Sequence, residues 1–261
     1  MSVVLVKLGG SVITDKSRYR TFDRDSTDRL AQEMASCGEQ LLIVHGAGSF
    51  GHILAKEHQL QNGHLGGSQK AGVAKVQQDV RELNLEVLRA LDRAGIPSTS
   101  IPPGACSLME DGVLHSMDMD LFHRYLDLGI APVTFGDVVL DSVRKFGICS
   151  GDQLMFLLAK EFHPRLIVFC ADVDGLYTAD PKLEDGARLI EEVDQEVLDS
   201  LPRSARVADV TGSIYAKVEM MLRLSRLGQG TVVINGRAPG RLASVLRGGR
   251  VKGSMVSGRK G

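Results

Sequence analysis

Short apolar runs recur along this chain with helix-length amphipathic patterns between them, and that alternation limits the folds open to it. Residues 3–6, 41–44, 132–135, 166–169 and 231–234 each read as a buried strand, and residues 98–101 as a weaker one. Asp25 or Ser26 is placed to cap a first helix that buries Leu30 and Met34 and stops near Gly38. A longer helix begins after Ser68. There Val73, Val76, Val80, Leu83, Val87 and Leu91 follow one another by three or four residues and so share one face, until Gly95 and Pro97 end it. A third helix spans about 118–128 before Gly129, a fourth is capped by Asp152 and reaches Phe162, and a fifth runs from Thr211 to about Gly228. Strands that alternate with helices pair in parallel and are covered on both faces. The expected fold is therefore α/β, a three-layer αβα sandwich with a mostly parallel central sheet. Residues 137–148 and 186–190 read as hairpin pieces, and the basic tail from Arg247 to Lys260 as an edge strand with a solvated end. No linker interrupts the 261 residues, which suit a single domain.

Composition excludes several functions. A formal net charge of -1 provides no global surface for nucleic acid or anionic lipid. Cys37, Cys106, Cys149 and Cys170 are dispersed with no C-x-x-C pair, which fits a reducing cytoplasm better than a disulfide framework or a zinc site. No apolar run reaches membrane-spanning length, and the first residues lack a signal-peptide pattern. A cytoplasmic protein with no nucleic-acid or membrane partner is expected.

Two glycine turns carry the chemistry. In "LLIVHGAGSFGH" the residues Gly46, Gly48 and Gly51 match G-x-G-x-x-G, but the second strand and acidic residue of a dinucleotide site do not follow. An NAD-dependent oxidoreductase is therefore a remote reading. In "VVLVKLGGS" the residues Gly9, Gly10 and Ser11 end the first strand, with Lys7 interrupting its apolar run. Glycines let the backbone approach an anion and point successive N–H groups at it. Neither turn is a P-loop. A pair of such turns at strand ends suits a transfer of phosphoryl between two bound molecules, with tight turns as the plain structural alternative.

Other polar punctuation falls at element ends. "SGD" at 150–152 opens a helix, and its N–H groups could also meet substrate. Asp172 and Asp174 in "ADVDGLYTADP" form either a simple turn or a contact to nucleotide or Mg²⁺; they lack the later ligands of a calcium loop. "DVTGSIYAK" sets Lys217 in the first turns of a helix, as a surface lysine or a phosphate ligand.

Taken in order, "KLGGSVITDK", "VHGAGSFGH", "PVTFGDVVLD", "SGDQL", "DVDGLYT" and "DVTGSIYAK" resemble the amino acid kinase superfamily over essentially the whole chain, and within it the isopentenyl phosphate kinase family. The resemblance implies an acceptor half at about 1–150 and an ATP half at 151–261. It implies that Lys7, Gly9, Gly10 and Ser11 hold ATP phosphates, that Lys16 lies over the transferring group, and that Lys217 reaches the donor phosphates. Gly46, Ala47, Gly48, Gly51 and Gly151 would line the acceptor and transfer sites, and Asp172, Tyr177 and Gly212 would contact the nucleotide, with Asp152 and Asp174 as further carry-overs. His52 would hold the acceptor phosphate, as a neutral donor or as a cation, whereas His45 reads as a strand-end residue with a structural hydrogen bond. Ser213 and Ala216 stand where the family often has glycine.

The implied reaction passes the γ-phosphoryl group of ATP to isopentenyl phosphate, with Mg²⁺ as cofactor and a homodimer as the assembly. A phosphate monoester with a second pKa of about 6 is already a dianion at neutral pH and needs no general base. Val73, Ala74 and Gln77 are candidates for the slot around the acceptor's tail. A phosphonate kinase of the fosfomycin type is the nearest alternative, and a non-catalytic nucleotide-binding regulator a further one.

Overall fold

The computed structural model describes residues 2–179, 184–200 and 214–258, without the side chains of 214–217. The first strand, β1 (Val3–Leu8), runs into a one-turn helix, α1 (Gly10–Ile13). A loop leads to α2 (Arg24–Ala35), where the cap is Asp23, ahead of the expected Asp25 or Ser26: its carboxylate accepts the Ser26 N–H. Then come β2 (Gln40–His45), α3 (Gly48–Glu57) and the long α4 (Gln69–Arg93). Gly95, at φ +76°, ends α4 as its sequence promised.

Next follow β3 (Ser98–Ser100), α5 (Pro103–Cys106), β4 (Ser107–Glu110), β5 (Val113–Met117), α6 (Met119–Asp127) and β6 (Ala131–Phe135). The hairpin β7 (Asp137–Asp141) and β8 (Lys145–Cys149) leads into α7 (Gly151–Phe162), capped by Ser150 and not by Asp152, because the Ser150 hydroxyl accepts the Gln153 N–H while Asp152 turns to Lys7. The C-terminal part holds β9 (Leu166–Ala171), β10 (Leu176–Tyr177), β11 (Leu189–Ile190), α8 (Gln195–Ser200), α9 (Ile214–Ser225), β12 (Thr231–Asn235), α10 (Arg241–Leu246) and β13 (Gly253–Val256).

Seven strands form the central sheet in the order β13-β12-β9-β1-β2-β6-β3. All pair in parallel except β13, the edge strand expected of the basic tail, which pairs antiparallel with β12. Alternation along β1 sends Val4, Val6 and Leu8 to a core shared with Leu30, Met34, Leu83, Val87 and Leu242 of α2, α4 and α10. Leu5 points to the opposite core, built with Phe122, Leu154, Leu158 and Leu222 of α6, α7 and α9. These are the two helical layers of an αβα sandwich.

A second, four-stranded sheet in the order β5-β4-β7-β8 sits beside it. Its β4–β5 hairpin is absent from the sequence reading because most residues of these strands are exposed and present no apolar run. The Asp111–Gly112 pair, both at positive φ, is nevertheless a two-residue hairpin signal.

Candidate active site

β1 and β2 lie side by side in register, with Leu8 opposite His45, so both glycine turns leave the sheet at one edge. Open parallel sheets bind ligands outside such carboxyl ends where the strand order reverses. Here the N-terminal part extends from β1 through β2, and the later β9 pairs on its other side.

The two turns touch backbone to backbone. A Cβ on Gly10 would lie 2.6 Å from the Gly48 nitrogen and 2.7 Å from its Cα, and one on Gly46 would lie 2.6 Å from the Gly10 nitrogen. Gly48 also holds φ +50°, which side chains resist. Thr14, fully buried, ties the turns together: its hydroxyl donates to the Gly10 carbonyl at 2.6 Å and accepts the Ser49 N–H at 3.0 Å. Sequence reasoning missed Thr14, although a hydroxyl within the apolar stretch after "GGS" is a visible signal. A third glycine, Gly136 after β6, donates its N–H to the His45 carbonyl at 3.1 Å and faces the Ala47 nitrogen. Gly51 packs on Ala47 and Val80, which seats α3 against both the turn and α4. α3 and α7 both begin at this edge, so their N-terminal N–H groups add positive potential there.

Lys7 is buried, and its stem runs past Gly151: a Cβ on that glycine would lie 3.0 Å from the Lys7 Cε. The Lys7 ammonium donates to Asp152 at 2.6 Å. A lysine ammonium has three donors, so this bond leaves capacity for phosphate oxygens. Gly9 and Ser11 complete the first turn, and the Gly9 N–H donates to the Cys170 carbonyl of β9 at 2.9 Å.

Lys16 is exposed on a loop spanning 14–22. The loop closes on itself through the Asp15 N–H and the Thr21 carbonyl at 3.0 Å. It is joined to the start of α3, where the Thr21 N–H donates to the Ser49 hydroxyl at 3.2 Å. His52 is exposed on α3, one turn beyond Gly48. His45 is structural, as expected. Burial pushes its pKa down to about 4, its ring stacks on Phe135 at 5.1 Å, and its Nδ1 lies 3.1 Å from the Gly46 carbonyl.

The residues after β9 form a different kind of assembly. Asp174 accepts from Arg241 at 2.6 Å, Lys252 at 2.7 Å, Asn235 at 3.2 Å and the Tyr177 hydroxyl at 3.1 Å. Burial would raise the Asp174 pKa, but hydrogen bonds from Lys252, Arg241 and Asn235 outweigh it and hold the carboxyl well below its usual range. Burial first, then Asp174, pushes the Tyr177 hydroxyl up. Asp172 is exposed beside them. Gly212 and Ser213 lie outside the described residues. Lys217 belongs to α9, but its side chain also lies outside that description.

Among the described residues, no group of three or more His, Cys, Asp or Glu is arranged to hold a metal ion. Asp152 and Asp174 are engaged with cations of the protein itself. The side chains described here therefore do not fit an all-protein Mg²⁺ cage.

A cavity of about 470 Å³ opens between the 14–22 loop, the later part of α3 and the first half of α4, lined by Tyr19, Leu54, His58, Ala74, Lys75 and neighbouring residues of α4. Of the three tail-slot candidates only Ala74 lines it. Val73 packs into a small core with Leu60, Val80 and Phe135, and the Gln77 amide donates to the Val138 carbonyl at 2.8 Å.

The model of the amino acid kinase family matches residues 2–235. Isopentenyl phosphate kinase of Methanothermobacter thermautotrophicus is 38% identical over 266 residues, covering 98% of this chain and 100% of its own. Isopentenyl phosphate kinase of Thermoplasma acidophilum is 35% identical over 244 residues, covering 93% and 96%. Among solved structures, an isopentenyl phosphate kinase superposes with a TM-score of 0.86 at 35% identity, covering 98% of this chain and 100% of its own. The product complex of the T. acidophilum isopentenyl phosphate kinase superposes with a TM-score of 0.80 at 32% identity, covering 98% and 100%.

Proposed function

Because the chain belongs to the amino acid kinase family, and within it to the isopentenyl phosphate kinases, we propose that it transfers the γ-phosphoryl group of ATP to isopentenyl phosphate, giving isopentenyl diphosphate and ADP. The observation that carries this reading is the backbone contact between the Gly9–Gly10 and Gly46–Gly48 turns at one sheet edge, beside Lys7. Two anion cradles that touch can present donor and acceptor phosphates to each other.

The chemical difficulty is charge. Two unit charges 4 Å apart cost roughly 4 kcal/mol at an effective dielectric of 20, and a dianionic acceptor meets several such charges on ATP. Positioning and electrostatic stabilisation therefore supply most of the catalysis. In this reading Lys7, the turn of Gly9, Gly10 and Ser11, and Lys217 hold ATP phosphates, with the Gly9 N–H kept on the Cys170 carbonyl and the turn's other groups left to the ligand. Lys16 reaches over the transferring group. His52, with Gly46, Ala47, Gly48, Gly51 and Gly151, orients the acceptor phosphate, while Asp172, Tyr177 and Gly212 contact the nucleotide. Asp174 supports that turn through Arg241 and Lys252 and does not serve as a metal ligand. A divalent cation that enters with ATP would be held by phosphate oxygens and water.

The halves at about 1–150 and 151–261 act as the acceptor and ATP sides. A homodimer and a cytoplasmic location complete the reading; among the described residues, no helix is long and apolar enough to cross a membrane. The test is ATP turnover with isopentenyl phosphate, dimethylallyl phosphate and fosfomycin side by side. Isopentenyl phosphate is expected to give the highest kcat/KM, and faster turnover of fosfomycin would transfer the assignment to a phosphonate kinase.

A further inference from the structure

We propose that Asp79 is the positioning residue that fixes the loop carrying Lys16, and so sets turnover without touching either substrate. The proposal rests on the reading of Lys16 given above. Asp79 sits on α4 with no exposed surface, in the stripe of Val76, Val80 and Leu83 that packs into the cores. A carboxylate there is costly unless cations and donors meet it. Three do. The Tyr19 hydroxyl donates to one carboxylate oxygen, the Lys75 ammonium lies 2.7 Å from the other, and the Arg20 guanidinium lies 3.5 Å from that same oxygen. Two of the three donors, Tyr19 and Arg20, belong to the loop at 14–22.

Arg20 shows how firmly the loop is drawn to α4. It adopts φ +54°, a conformation that non-glycine residues rarely take. Its guanidinium also pairs with Glu82 and lies 5.9 Å from the Phe50 ring. The loop thus has two attachments. One joins it to Ser49 at the start of α3, next to the acceptor turn. The other ends on the buried Asp79. Lys16 lies between the loop's closure at Asp15 and these anchors, so the reach of its flexible stem is set by where the loop is held. Tyr19 also walls the cavity between α3 and α4, so the same anchor shapes one side of that space.

The test is a double-mutant cycle on kcat, with KM measured for ATP and for isopentenyl phosphate. Asp79→Asn keeps the shape and removes the charge. It is expected to lower kcat on the order of 10²-fold, the cost of misplacing a catalytic group by about 1 Å, while ATP KM stays within about twofold. In the Lys16→Ala background the same substitution is expected to change kcat by less than about twofold, because groups that act as one unit are non-additive. Arg20→Ala, at a partly exposed site with Lys75 still facing Asp79, is the second probe if Asp79→Asn does not fold. It is expected to lower kcat several-fold with the same loss of effect in Lys16→Ala. Equal fold-losses in both backgrounds, or full turnover in both anchor variants, would overturn the role of Asp79. Full turnover in Lys16→Ala alone would instead overturn the reading of Lys16 on which the proposal stands.

Discussion

The paired glycine turns after β1 and β2 and the turn after β9 leave the sheet at the same end but are held in unlike ways. Gly10, Gly46 and Gly48 bring two main chains into direct contact, with Thr14 spanning them. Gly10 meets Gly46 and Gly48 backbone on backbone, so the geometry has little freedom. The turn after β9 is held by charge: Asp174 gathers Arg241, Lys252, Asn235 and Tyr177 from four separate positions in the chain. Close backbone packing fixes positions to fractions of an ångström, which suits the side where phosphates must be brought face to face. A charge hub tolerates adjustment, which under the proposed function suits a side that has only to seat a nucleotide.

The largest effect should come from breaking the backbone contact. Gly10→Ala places a Cβ 2.6 Å from the Gly48 nitrogen and 2.7 Å from its Cα, so main chain, not a flexible side chain, must shift to admit it. It is expected to lower kcat/KM at least on the order of 10²-fold and to lower Tm, measured by steady-state kinetics and thermal unfolding. Wild-type activity in a folded Gly10→Ala protein would remove the contact from the mechanism.

A smaller effect should follow on the other side. Asp174→Asn is expected to raise ATP KM roughly tenfold, the scale of one lost charged hydrogen bond, with the KM for acceptor unchanged. Its stability signature has a definite sign. The Asp174 pKa is depressed in the folded protein, so its contribution is present above the ordinary carboxylate range and is lost as pH falls through the folded value. The Tm gap between wild type and Asp174→Asn should hold from neutral pH down to about 5 and narrow only in strong acid. A gap that closes already near pH 6 would contradict the ionic hub.

The same contrast explains what the sequence reveals. β1, β2, β6, β9 and β12 were legible because each is a mostly apolar run buried on both faces, and α4 because its apolar stripe is long. The glycine turns were legible because a backbone-to-backbone contact leaves no choice of residue. The β4–β5 hairpin was harder, since one-sided strands carry little apolar signal. The Asp174 hub was illegible: Arg241 and Lys252 look like ordinary surface cations until the fold brings them to one carboxylate. Asp79 occupies a middle position. A charge spaced three from Val76 and four from Leu83 breaks the apolar stripe of α4 and could have been flagged, but only the structure supplies Tyr19 and Arg20 as its partners.

His52 offers the most direct test of the claim that the paired turns divide donor from acceptor. It lies on α3, on the side proposed for the acceptor, and away from the Lys7 turn in sequence. In His52→Ala, ATP KM and the affinity for ADP should match wild type, while kcat/KM for isopentenyl phosphate falls on the order of 10²-fold, the scale of a misplaced reacting group. A mutant that loses nucleotide affinity yet keeps its kcat/KM for isopentenyl phosphate would contradict that division.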